Sequence, residues 1–252
     1  MSSFDRVSLT IGHIARHTPT GSGSPGREAA IIDIAQDLLL AYLEENGMLE
    51  DVVIKGGVFK TKMDFGPRPW LEPVYRSFSE LPIHKQYGLD LPKIKMVRLE
   101  ENMAEKIARL NRTNTARDLY DLNWIMETPS VERIIDKPLL RRLAVLKIWV
   151  DSHGMHCGNV WWRPAHAPSV FDPEKWLYGR NPKEIDREDI GTLAVPAPTA
   201  EEMLSSLKEN YLFLMDLDET ETVIAGSNAK DRSLVIQTLK ELPGGRLSTG
   251  LF

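Results

Sequence analysis

The chain has 252 residues, of which 42% are hydrophobic, and 31 Lys+Arg against 36 Asp+Glu give a net charge of −5. That is enough apolar material for one large domain or two small ones, and the acidic balance excludes a nonspecific nucleic-acid coat while leaving room for a local basic groove. The single cysteine, Cys157, rules out an intrachain disulfide, and no apolar run approaches the roughly 20 residues that cross a bilayer, so a soluble cytoplasmic protein is expected.

In chain order, "TPTGSGSPG" (Thr18 to Gly26) has the composition of a linker. The next segment, "REAAIIDIAQDLLLAYLEENG", predicts a helix with Ile31, Ile34, Leu38, Tyr42 and Leu43 on one stripe and Gly47 as its stop. A short apolar strand, Val52 to Ile54, then runs into Gly56 and Gly57. A second strand is predicted where Phe59, Thr61, Met63 and Phe65 alternate with Lys60, Lys62 and Asp64. The proline-rich run from Gly66 to Pro92 reads as an extended, ordered connection. After Pro129 the clearest helices are "PLLRRLAVLKIWVDSHG", "TAEEMLSSLKENYLFLMDL" and "DRSLVIQTLKEL". The expected division is an N-terminal arm over 1–26, an α/β core over 27–128, and a mainly helical region over 129–252.

Between these lies "VRLEENMAEKIARLNRTNTARDLYDL". On a helix from Glu100 to Leu110, Leu99, Met103, Ile107 and Leu110 form one stripe, with Lys106 at its edge. On a helix from Ala116 to Met126, Leu119, Leu122, Ile125 and Met126 form another, with Asp118 inside it and Asp121 at its edge. Glu101, Glu105 and Arg109 are expected to point into solvent. The short "NRTNT" link makes the two helices an antiparallel pair or a corner, so their inward charges can meet. One reading is a structural ion pair, Lys106 with Asp118 or Arg117 with a carboxylate. The other is a lysine gripping phosphates while a carboxylate holds metal or takes a proton. Helical geometry leaves both open.

These stretches resemble the AbiEii-type nucleotidyltransferase family, the toxin component of abortive-infection toxin–antitoxin pairs. The opening helix and strand ending in "KGG", the "EENMAEKIARLNRTNTARDLYDL" stretch, and the tail "EDIGTL…ENYLFLMDL" occur in the family's order. The resemblance implies a small mixed sheet flanked by helices. It also implies transfer of a nucleotide from a nucleoside triphosphate to an acceptor such as tRNA, with Mg2+ or Mn2+ as cofactor and a cognate antitoxin as partner. Matched residue by residue, Gly56 and Gly57 are the glycine pair, with Lys55 beside them. Lys106 is the phosphate-contacting lysine, and Arg117, Asp118 and Asp121 fill Arg-Asp-x-x-Asp. Asp64 is matched to a strand carboxylate that would carry the metal. A glycine pair after a strand lets backbone N–H groups approach phosphates, and carboxylates hold a divalent cation that orients the triphosphate.

The sequence departs from this pattern in one place. The family's glycine pair is followed by an Asp-x-Asp strand, whereas here "KGG" runs into "VFKTKMDFG", with Gly66 where the second carboxylate is required. An internal deletion is the simplest explanation. Two readings follow: a degenerate protein that binds nucleotide, RNA or an antitoxin without turnover, or a divergent enzyme in which Asp64, Asp118 and Asp121 share the metal duty. Other constellations carry less. His153, His156 and Cys157 lack a fourth zinc ligand at a familiar spacing, and His13 and His17 are assigned no role. Trp161, Trp162 and Trp176 suit loop stapling better than base stacking. His84 beside Lys85 is a weak candidate for contact with a nucleic-acid backbone.

Overall fold

The computed structural model describes residues 23–50, 69–77, 84–85, 88, 91–110, 115–152, 181–188, 190, 196–227 and 232–243. The architecture is helix-dominated α+β with a small antiparallel sheet. It divides into two compact units, one comprising Met1–Gly66, Pro73–Val97 and Gly191–Ala197 and the other Pro67–Glu72, Arg98–Ile190 and Pro198–Phe252.

In the first unit, helix α1 (Gly23–Glu45) ends as its sequence predicts. Gly47 adopts φ +68, its N–H donates to the Glu44 carbonyl at 3.0 Å, and the Met48 N–H reaches the Leu43 carbonyl at 2.9 Å. This paired arrangement satisfies carbonyls that the helix end would orphan, and the left-handed backbone favours glycine. Ile34 and Ala41 are buried on α1, but Tyr42, expected on the same stripe, is exposed. Strands β1 (Val74–Arg76) and β2 (Ile94–Met96) pair antiparallel in the register Val74↔Met96, Tyr75↔Lys95, Arg76↔Ile94. Both fall outside the predicted strands: β1 lies in the proline-rich connection and β2 just beyond it. Two strands of three residues are not stable alone, and α1 packs against β2, where Ile94 is buried. His84, a weak candidate for contact with a nucleic-acid backbone, is fully buried with Nε2 3.7 Å from Asp37 on α1.

The second unit holds the main core. Helix α2 (Leu99–Leu110) packs along α5 (Lys137–Ser152). Ala104 and Ala108 on α2, and Ala144 on α5, are buried at small size, which suits close approach of two axes. Helix α3 (Ala116–Glu127) begins at Thr115, whose side chain accepts from the Asp118 N–H, and is followed by the short α4 (Pro129–Glu132). Leu119 and Leu122 of α3 are fully buried, each worth about 1.5–3 kcal/mol relative to exposure.

After the short α6 (Pro182–Ile185), α7 (Ala200–Asn210) opens with a capping box between Thr199 and Glu202 and packs against α3. The Tyr211 hydroxyl donates to the Leu122 carbonyl at 3.0 Å, and burial pushes this phenol well above its ordinary pKa. A 3₁₀ turn (Leu212–Met215) leads to α8 (Glu219–Gly226), capped by Asp218, and α9 (Arg232–Glu241) closes the described chain. On α5, Arg141 and Arg142 reach the buried Glu221 carboxylate at 2.7 and 3.0 Å, and Arg142 also binds Asp218.

Candidate active site

The site is built at the corner between the end of α2 and the start of α3. Lys106 and Arg109 are three residues apart in the last turns of α2, and Asp118 and Asp121 are three apart in the first turns of α3. Residues three apart share a helix face, so one basic and one acidic face result. Arg109 in the last turn of α2 and Asp118 in the first turn of α3 also complement their helix dipoles.

The two faces meet. Lys106 Nζ donates to Asp118 Oδ1 at 3.1 Å and to Asp121 Oδ2 at 2.7 Å. Arg109 Nε lies 3.5 Å from Asp118 Oδ2, an oxygen that is buried and receives no hydrogen bond. The Asp118 side chain is 2% exposed, Lys106 13% and Asp121 33%, so the quartet grades from a buried anchor to a water-facing rim. A carboxylate as buried as Asp118 is tolerable only because cations accompany it. Tyr120, beside Asp121, has its pKa raised by burial first and by the Asp121 charge second.

Lys106, Asp118 and Asp121 are therefore brought together as their helical phases imply. Arg117 is exposed on α3, one position before Asp118. Lys55, Gly56, Gly57 and Asp64 lie outside the described residues, as do His13, His17, His153, His156, Cys157, Trp161, Trp162 and Trp176. Arg109 was expected in solvent. Its chain is 43% exposed, yet its Nε is turned to Asp118, and its i+3 spacing from Lys106 was the available signal.

Glu101 is a larger correction. Expected in solvent, it is fully buried and receives the Trp70 N–H at 2.8 Å, the Leu71 N–H at 2.9 Å and Lys147 Nζ at 3.0 Å. Lys147 also reaches Glu105 at 3.1 Å and sits 3.8 Å from the centre of the Trp70 ring. Burial lowers the Lys147 pKa, and the Glu101 charge and hydrogen bond oppose that shift. Glu100 is buried too, accepting from the Asp136 N–H at 3.3 Å. The first turn of α2 thus points inward to satisfy backbone donors from elsewhere in the unit.

A divalent cation does not fit the described carboxylates by themselves. The Lys106 ammonium already stands between Asp118 and Asp121, and a cation placed there would face it at close range. Among the described residues no group of three His, Cys, Asp or Glu could hold a metal ion, and no helix is long and apolar enough to cross a membrane.

The fold defines the class: this is a nucleotidyltransferase-like protein. Its structure is similar to that of MenT4, a nucleotidyltransferase toxin from Mycobacterium tuberculosis H37Rv, with a TM-score of 0.68 and 26% identity over 94% of this chain and 100% of that one. Residues 32–217 match the family described as nucleotidyl transferase AbiEii toxin, Type IV TA system, and the chain belongs to that family. No match was found among curated protein sequences. Membership in a toxin–antitoxin family implies a nucleoside triphosphate as substrate and a cognate antitoxin as partner.

Proposed function

We propose that this chain is a cytoplasmic nucleotidyltransferase toxin that moves a nucleotide from a nucleoside triphosphate to an RNA acceptor, with tRNA the foremost candidate. The observation that carries the reading is the Lys106 ammonium held between Asp118 and Asp121 at a half-open helix corner. In this role Lys106 contacts the triphosphate as a compact point charge. Asp118, anchored by Arg109 and the α3 N-terminus, fixes the direction of the ammonium. Asp121 lies at the solvent-facing side, where it can accept a proton from an incoming hydroxyl. Arg117 adds positive potential, and the family resemblance assigns Lys55, Gly56 and Gly57 to contact with phosphate. Asp64 would belong to the metal duty, with Mg2+ or Mn2+ supplying charge neutralisation at the phosphates when bound. Asp118 and Asp121 are already paired with Lys106.

The test is incubation of the purified chain with each labelled nucleoside triphosphate, Mg2+ or Mn2+, and total tRNA. Label on RNA that disappears in Lys106→Met supports the reading. A second reading, a non-catalytic holder of nucleotide, RNA or antitoxin, is favoured by Gly66 standing where a second strand carboxylate is required. Tight triphosphate binding with no labelled product under any condition selects it and overturns the first.

A further inference from the structure

We infer that Asp121 is an affinity-setting latch: its carboxylate occupies the Lys106 ammonium in the nucleotide-free protein and must yield to a phosphate oxygen when a triphosphate binds. The inference rests on the reading of Lys106 as a phosphate contact and adds a role for Asp121 opposed to binding.

The two carboxylates on Lys106 are not equivalent. Asp118 is 2% exposed, holds Nζ through Oδ1, faces Arg109 through Oδ2, and has its backbone N–H capped by Thr115. Its displacement would leave a buried, unpaired anion, which is costly. Asp121 is 33% exposed, and the hydrogen bond from Lys106 to its Oδ2, at 2.7 Å, is the only one described for its side chain. Rotation of this side chain into water costs less than moving Asp118, because Asp121 already borders solvent and Lys106 keeps its bond to Asp118. Within this quartet Lys106 and Arg109 balance Asp118 and Asp121 in charge, so the paired carboxylates offset the pull of the two cations on an approaching polyanion. Releasing Asp121 leaves two cations against one carboxylate and frees a donor on Nζ. The corner then becomes an anion site whose cation is still aimed by Asp118.

The test is binding of inorganic triphosphate to the full chain in metal-free buffer, with wild type, Asp121→Asn, Lys106→Met and the double variant compared. The latch predicts that Asp121→Asn binds about two- to fivefold tighter than wild type, that Lys106→Met binds more weakly, and that the double variant loses the gain. Thermal unfolding checks that each variant folds, and Asp121→Ser replaces the asparagine variant if that one does not. If Lys106→Met weakens binding while Asp121→Asn binds like wild type or more weakly, the latch is wrong and the phosphate role of Lys106 stands. If Lys106→Met binds like wild type, or no form binds triphosphate, the latch and the role fall together.

Discussion

Replacing Lys147 by Met keeps the length of the side chain and removes its charge. In the folded protein Glu101 would then remain fully buried with only the Trp70 and Leu71 N–H groups, at 2.8 and 2.9 Å, to balance an anion. Removing one partner of a buried pair costs about 3–5 kcal/mol. Loss of the ammonium 3.8 Å from the Trp70 ring centre adds about 1–2 kcal/mol if that contact is largely desolvated. Against a typical total of about 5–15 kcal/mol this is a large share. The double variant Glu101→Gln/Lys147→Met removes both charges; its single amide oxygen keeps one of the two backbone donors, which bind separate oxygens of Glu101, and the other loses its acceptor. It should be more stable than Lys147→Met alone, with a coupling of about 1–3 kcal/mol. Urea unfolding followed by tryptophan emission, on wild type, Glu101→Gln, Lys147→Met and the double variant, measures the cost and the coupling. A cost below about 1 kcal/mol for Lys147→Met, or a double variant no better than the single one, would refute the argument.

Asp218 gives a pH prediction. Burial pushes its carboxyl up, but the Glu221 N–H and the Arg142 guanidinium outweigh it, and its pKa is lowered. A folded pKa below the unfolded value means that this stabilisation is present above the unfolded carboxylate value of about 3.9 and is lost as pH falls through the folded one. Asp218→Asn, which keeps the α8 cap, should flatten the acid limb of a melting-temperature profile; an unchanged limb would contradict it. Leu119→Ala, at a fully buried site on α3, should cost about 2–5 kcal/mol in the same urea assay. Lys106→Met should abolish growth inhibition on expression, and Asp118→Asn should reduce it at least about tenfold while leaving the chain folded by circular dichroism; equal toxicity of both variants would remove these residues from the chemistry.

The corner was readable in the sequence because helical phase is a local property. Three residues per near-turn put Lys106, Asp118 and Asp121 at the inner arcs, and the short connecting link brought the arcs together. Glu101 was not readable, because what draws it inward is a pair of backbone N–H groups some thirty residues earlier in the chain. A pattern of polar and apolar letters carries no sign of such donors. The strands β1 and β2 were missed for a related reason: three residues each, one set among prolines, they are specified by pairing and by α1 rather than by alternation. Helix α8 did carry a signal that went unread. Asp218 and Glu221 form a capping box, but "ETETVIAG" has too short an apolar stripe to stand out. The glycine pair and Asp64 rest on resemblance alone.

Helix α2 is keyed twice along its length. Glu101 locks it to the Trp70–Leu71 backbone, and five residues later Lys106 locks it to α3, at an azimuth about 140° away. Neither sliding nor spinning the rod can preserve both locks. One inserted or deleted residue between them would swing the second key by about 100°, so this five-residue interval is the least elastic measure in the unit, and length changes have to accumulate elsewhere.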